Sequence, residues 1–142
     1  MNILVTGGAS GLGKAIVEKL ASSADNFVYF TYCHSKSAAD ELMAKFSNTK
    51  ALFCDFGNEE SINELTKVIS ELKIEVLINN AHSLPINKQH FHKTDVSVFE
   101  AGFKNNILPL IKITQSAISV FRKQKTGKII TILTSALVNK PP

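Results

Sequence analysis

Asn2-Ile3-Leu4-Val5-Thr6, then Gly7-Gly8-Ala9-Ser10-Gly11-Leu12-Gly13, then Lys14-Ala15-Ile16-Val17: in this opening stretch a short apolar run meets a glycine-rich turn that leads straight into a helical pattern. The order is strand, tight turn, helix start, and it suits a dinucleotide phosphate. Gly7 permits the sharp turn, Gly11 lets backbone approach a ligand, and Gly13 allows helix and strand to pack closely. The helix start then offers free N–H groups and the positive end of its dipole to an anion. A glycine triplet also serves ordinary strand-to-helix turns, so its meaning depends on the rest of the chain.

Outward from that turn, apolar β-rich runs alternate with helical patterns, the signature of parallel strands joined by helical crossovers. Leu12, Ala15, Ile16 and Leu20 have helical spacing over 11–22, and 26–32 (NFVYFTY) reads as a second strand buried on both faces. Ser35 or Ser37 can cap a helix to about Phe46, with Asp40 and Glu41 near its positive end. Lys50 to Cys54 reads as a third strand. Asn58 then caps a helix that begins Glu59-Glu60 and buries Ile62, Leu65, Val68, Ile69 and Leu72. Glu75 to Asn79 is a fourth strand, and the polar segment from Asn80 to Lys93 reads as loop.

A long helix follows from Thr94 or Asp95 to about Lys123. Its apolar stripe is read as Val96, Phe99, Phe103, Ile107, Leu110, Ile111, Thr114, Ala117, Ile118 and Phe121, with Ile113 and Val120 off it. Pro109 inside this helix should kink it or loosen a turn. Gly127 precedes a fifth strand, Lys128 to Leu133. The expected architecture is α/β: a five-stranded doubly wound parallel sheet in the order 3-2-1-4-5, with helices on both faces and a ligand crevice at the carboxyl ends of the strands. One domain over 1–142 is expected, since domains commonly hold about 100–200 residues.

Composition excludes several classes. With 44% hydrophobic and 20% charged residues the chain is an ordinary globular one. No apolar run approaches the roughly 18 residues of a membrane span, and no basic segment precedes the first apolar run as in a secretion signal. Cys33 and Cys54 lack CxxC spacing and read as buried thiols, not as a disulfide or a metal site, which suits a reducing cytoplasm. The net charge of +4 is spread out, and the densest cluster, Arg122-Lys123-Gln124-Lys125 with Lys128, lacks interleaved aromatics. It reads as a solvated helix end, with no nucleic-acid or membrane partner expected. His90 and His92 read as surface polarity, and no metal site is expected.

Read as wording, TGGASGLG (6–13) fits the TGxxxGxG form of the short-chain dehydrogenase/reductase family, and four later stretches repeat the resemblance in the right order. Together they span nearly the whole chain and imply a Rossmann-like NAD(P)-binding domain. The resemblance implies that Gly7, Ala9, Ser10, Gly11, Leu12 and Gly13 hold the cofactor phosphates. At the end of the second strand, Tyr32-Cys33-His34-Ser35-Lys36 offers no acid to accept from the adenosine ribose hydroxyls. That favours NADP(H), with NAD(H) possible, and assigns Tyr32, His34 and Ser35 to the cofactor. Asp55 in Cys54-Asp55-Phe56 matches the residue that accepts from the adenine amino group, with Phe56 beside it; an Asp before Gly is also a turn former. Asn79-Asn80-Ala81-His82 resembles the family's NNAG segment along the cofactor ribose, with His82 in place of glycine. That exchange is expected to restrict φ.

Catalytic roles are implied at Asn106, which would hold a relay water, with Asn105 as register rival. Gly127 to Ser135 (GKIITILTS) resembles GxIVNISS, so Thr134 or Ser135 would orient the substrate. The family's acid/base pair, a Tyr with a Lys four residues on, would fall about a dozen residues past Thr134, outside this chain. Tyr29 and Tyr32 lie in the second strand and are read as unable to serve. The resemblance thus implies the amino-terminal part of an oxidoreductase that reduces a small-molecule carbonyl or oxidises an alcohol by hydride transfer. The sheet is read as cut before the last strands of that fold, and the 142 residues alone as inactive. The alternative is a non-catalytic dinucleotide-binding or scaffold module. Homo-oligomers through the 95–123 helix are expected, as is an edge-exposed fifth strand prone to pairing.

Overall fold

A computed structural model of the chain describes residues 1–83 and 90–133. Its elements are β1 (Asn2–Val5), α1 (Gly11–Ala21), β2 (Phe27–Tyr32), α2 (Lys36–Lys45), β3 (Thr49–Phe53), α3 (Glu59–Glu71), β4 (Val76–Asn79), a 3-10 turn (Phe91–Lys93), α4 (Val96–Gly102), a π turn (Phe103–Ile107), α5 (Leu108–Gln124) and β5 (Lys128–Thr131). The strands form one parallel sheet in the order β3-β2-β1-β4-β5. This is the doubly wound order expected from the sequence.

Alternation along β1 sorts the core into two layers. Leu4 joins Leu77, Ile62, Leu65, Ile69, Ile113 and Ala117 on the α3 and α5 side. Ile3 and Val5 join Val17, Val28, Phe30, Ala39, Leu42 and Ile78 on the α1 and α2 side. Successive side chains of a strand point to opposite faces, so a central strand covered on both sides must be apolar throughout. β2 departs a little from the double burial expected: Val28, Phe30 and Thr31 are buried, while Phe27, Tyr29 and Tyr32 are half-buried.

α3 begins as the sequence implies. Asn58 accepts from Ser61 N at 3.1 Å, and Glu59 and Glu60 occupy the first turn. Ile62, Leu65 and Ile69 are buried, whereas Val68 and Leu72 are only half-buried. α3 lies against α5, where Ser116 Oγ donates to Thr66 O at 3.0 Å. The pair Lys112–Glu59, 2.7 Å apart, is exposed and screened by water, so it adds little. At α2, Ser35 holds the N-cap position without a side-chain hydrogen bond, and Asp40 lies past the first turn, where it pairs with Lys36 at 2.8 Å.

The long helix is where the structure corrects the sequence most. Proline has no N–H and its ring crowds the carbonyl four residues back. The chain answers with a π turn over Phe103–Ile107, and Pro109 sits in the first turn of α5. A π turn adds one residue to its loop of backbone, which rotates everything after it by about 100°. The stripe carried through from Val96 therefore loses phase. The buried positions of α5 are Pro109, Ile113, Ala117, Val120 and Phe121, so Ile113 and Val120 face the core. Val96, Phe99, Phe103, Ile107, Ile111 and Ile118 are exposed instead. Arg122 and Lys123 occupy the last turn of α5, at the negative end of its dipole.

β5 is shorter than expected by two residues, although Ile132 N still donates to Asn79 O at 2.9 Å. All four of its residues are exposed, including Ile129 and Ile130. Among the described residues only β4 pairs with it, so it is an apolar edge as anticipated.

Candidate functional site

A cleft of about 320 Å³ opens at the carboxyl ends of β1, β2, β3 and β4. Four segments wall it. From the turn after β1 come Gly7, Ala9, Ser10, Leu12 and Gly13; from the end of β2 come Thr31, Tyr32, Cys33, His34 and Ser35. Cys54, Asp55 and Phe56 follow β3, and Asn80, Ala81, His82 and Ser83 follow β4. Of the fourteen residues read as cofactor-binding, only Gly11 is not in the wall. The cleft also takes in Thr31, Cys33, Cys54 and Ser83, which sequence reasoning did not assign.

The glycine turn is built as its spacing suggests. Gly7 has φ +67°, and a Cβ there would lie 2.9 Å from Ala81 Cα. Gly13 faces the tightest limit, since a Cβ there would lie 2.0 Å from Gly7 O. The side chain of Ser10, at the N-cap of α1, makes no capping bond, and the first turn holds no acid. Lys14 N is the amide that returns to Ser10 O, at 3.0 Å. Among the described residues the N–H groups of Gly11, Leu12 and Gly13, in the first turn of α1, have no partner at the positive end of the helix.

Thr6 and Asn80 lock the turn to β4. Thr6 Oγ1 accepts from Asn80 N at 2.9 Å and Ala81 N at 3.0 Å; Asn80 Nδ2 donates to Thr6 O at 3.1 Å and Gly7 O at 3.2 Å. Thr6 is buried, and it is the bracing residue missed in the sequence, although the motif begins with it. Asn79 braces the other side, donating to Thr114 Oγ1 at 3.1 Å and Thr131 Oγ1 at 3.4 Å. His82 is exposed and does not have positive φ, so the expected backbone restriction does not arise.

Asp55 performs the turn-forming role: its Oδ1 accepts from Gly57 N at 2.8 Å. Lys36 points away to Asp40, whose carboxylate raises its pKa, and it does not line the cleft. Tyr32 and Lys36 have the Tyr-x-x-x-Lys spacing. Their geometry still disqualifies them. Tyr32 ends β2 on the flank of the cleft away from β4, and its partner by spacing is already engaged. Burial raises both cleft thiols: Cys54 is pushed up to about 11, and Cys33 is raised by burial and by the Asp55 carboxylate.

Asn106 lies in the π turn. Its Oδ1 accepts from Ser83 N at 2.8 Å and its Nδ2 donates to Gly102 O at 3.1 Å, so it ties the long helix to the loop after β4. Among the described residues its neighbour Asn105 makes no comparable side-chain bond. π turns recur at functional sites because they re-aim side chains. Thr134 and Ser135 lie outside the described residues. The rings of His90 and His92 stack 5.9 Å apart, and among the described residues no three His, Cys, Asp or Glu side chains converge as metal ligands.

A parallel sheet in this order, with a glycine turn feeding a helix at its crevice, defines a protein of the dinucleotide-binding α/β class. Comparison with known proteins narrows the class: the short chain dehydrogenase family model matches residues 1–141, and the chain belongs to that family. It is 34% identical over 138 residues to a very-long-chain 3-oxoacyl-CoA reductase of Podospora anserina, covering 91% of this chain and 40% of that protein. It is 30% identical to a 3-oxoacyl-(acyl-carrier-protein) reductase of Aquifex aeolicus, over 91% of this chain and 53% of that protein. A serine dehydrogenase complexed with NADP+ superposes with a TM-score of 0.84 at 24% identity, over 99% of this chain and 57% of that one. The chain thus spans about half the length of these relatives. Among the described residues no helix is long and apolar enough to cross a membrane.

Proposed function

We propose that this chain is the nucleotide-binding portion of an NADP(H)-dependent oxidoreductase that reduces a carbonyl, or oxidises the corresponding alcohol. The observation that carries the reading is the cleft itself: open N–H groups at the start of α1 beside Gly7 and Gly13, and a β2 end lined by His34 and Ser35 with no carboxylate. The open amides and helix dipole suit a pyrophosphate. A β2 end without an acid leaves room for a 2′-phosphate, and Ser35, free of a capping bond, has its hydroxyl available. Asp55, with its second carboxylate oxygen, is assigned to the adenine amino group, and Asn80 to His82 to the ribose. When bound, the reduced nicotinamide supplies the hydride. Asn106 holds the relay water, and Thr134 or Ser135 orients the substrate oxygen. Proton transfer to the substrate oxygen is assigned to no residue of 1–142. The two reductases named above make 3-oxoacyl thioesters the first substrates to try.

Titration of the chain with NADPH and NADH, followed by nucleotide fluorescence, tests this. NADPH should bind at least tenfold more tightly, and Ser35→Asp should reverse the preference by placing an acid against the 2′-phosphate. Equal affinity, or none, refutes the assignment. A second reading is a binding module without chemistry: Tyr32 lies on the flank of the cleft away from β4, and Lys36, four residues on, is paired with Asp40. Binding of NADPH without its oxidation by any 3-oxoacyl thioester would select it. The exposed apolar side chains Phe99, Phe103, Ile107, Ile111 and Ile118 make the 95–123 helix the proposed contact between subunits.

A further inference from the structure

Two free thiols that the proposed chemistry does not use share one wall of the cleft. Cys33 is half-buried at the end of β2, and Cys54 is buried at the end of β3. The parallel register of these strands runs to Tyr32 opposite Phe53, and Cys54 N donates to Tyr32 O at 2.8 Å. Cys33 and Cys54 directly follow that last registered pair, so continuing the alternation by one step would place them opposite each other on the face of Thr31 and Leu52, and both line the cleft. Neighbours in register on adjacent strands lie about 4.8 Å apart, inside the roughly 4.4–6.8 Å between Cα atoms that a disulfide spans. A base is also at hand: His34 Nε2 stands 3.6 Å from Cys33 Sγ and can accept its proton in the Nδ1-protonated tautomer.

We propose that Cys33 and Cys54 form an oxidisable dithiol that closes into an intramolecular disulfide when the protein meets a peroxide. The Cys33 thiolate attacks the peroxide O–O bond, becomes a sulfenic acid and releases one water. The Cys54 thiolate then attacks that sulfur, forming the S–S bond and releasing a second water. The two thiols lose two protons and two electrons, and hydrogen peroxide is reduced to two waters. Cys33, the more accessible, is the attacking thiol, and Cys54 resolves it. Burial, helped by the Asp55 carboxylate, keeps both thiols protonated at neutral pH, and the Ser61 hydrogen bond to Cys54 offsets this only in part. Bridge formation therefore accelerates as pH rises toward the range in which these thiols ionise.

The bridge pins the ends of β2 and β3, which carry Tyr32, His34 and Asp55 into the cleft. Its effect on nucleotide affinity rests on the function proposed above; the bridge itself does not.

The full chain is treated with hydrogen peroxide, and thiols are counted in denaturant alongside intact mass. The expected result is loss of both thiols in a monomeric chain lighter by two hydrogens, reversed by dithiothreitol and faster at pH 9 than at pH 7. Cys33→Ser and Cys54→Ala should each abolish the bridge, and Cys33→Ser should also protect Cys54 from oxidation. Two surviving thiols, a disulfide between chains, or over-oxidation of Cys33 with Cys54 still free overturns the proposal. The oxidised chain should bind NADPH at least fivefold more weakly than the reduced chain. Unchanged affinity overturns the coupling to the cleft, whereas a reduced chain that binds no NADPH counts against the nucleotide reading and leaves the thiol result standing.

Discussion

Gly11 and Gly13 stand two residues apart in one motif, yet the structure gives them different physical burdens. A methyl group at Gly13 meets the backbone oxygen of Gly7 at 2.0 Å and the Asn80 amide at 2.6 Å, and neither can retreat without opening the turn. At Gly11 there is open space, and the cost is that of φ +50° alone. Gly13→Ala should lower stability by about 1–3 kcal/mol, as overpacking does, and weaken NADPH binding by tenfold or more. Gly11→Ala should cost about 1 kcal/mol, the lower end of the penalty for a left-handed residue, with affinity changed less than threefold. Urea unfolding and nucleotide titration of the two variants check the contrast, and equal losses would contradict it. The sequence named both glycines because their spacing is the signal. It could not name Thr6 as the brace, since a threonine at a strand end reveals nothing of the two amides that converge on its hydroxyl from residues 80 and 81.

Among the elements, α5 ends on a residue that the sequence did not mark. Lys125 is in the left-handed conformation at φ 58°, while Gly127, the expected punctuation, is needed for another reason: a Cβ there would lie 2.1 Å from the Phe121 ring. A left-handed residue with a side chain is strained and glycine is not. Lys125→Gly should therefore raise stability by about 0.5–1 kcal/mol, the relief being partly offset by the freer unfolded chain. A shift of the urea midpoint to higher concentration with an unchanged slope is the expected readout; a lower midpoint would show that the lysine stabilises the end in some other way. α3 was legible in the sequence almost residue by residue, because Asn58, Glu59-Glu60 and an unbroken 3.6-residue period all agree. The 95–124 segment was not, because a single π turn moved the buried face by one position while the apolar composition stayed the same on both sides.

At the scale of the whole molecule, β5 leaves the sheet with an apolar edge: Ile129 is 41% exposed, Ile130 47% and Ile132 40%. Unpaired edges of this kind recruit further strands. The 142-residue chain should self-associate at concentrations where Ile130→Lys stays monomeric, because a lysine on the edge strand disfavours pairing. Sedimentation of the two chains decides it, and identical distributions would argue that the edge is inert. The sequence by itself determined the strand order, the place of the crevice and most of its wall, because those follow from local signals: period, turn chemistry and glycine spacing act within a few residues of one another. Only the tertiary structure decided which face of α5 is core, that Lys36 turns to Asp40 and that Cys33 and Cys54 both line the cleft. Each of these depends on distance in space between segments whose separation along the chain carries no such information, or on the phase of a helix that one inserted residue resets.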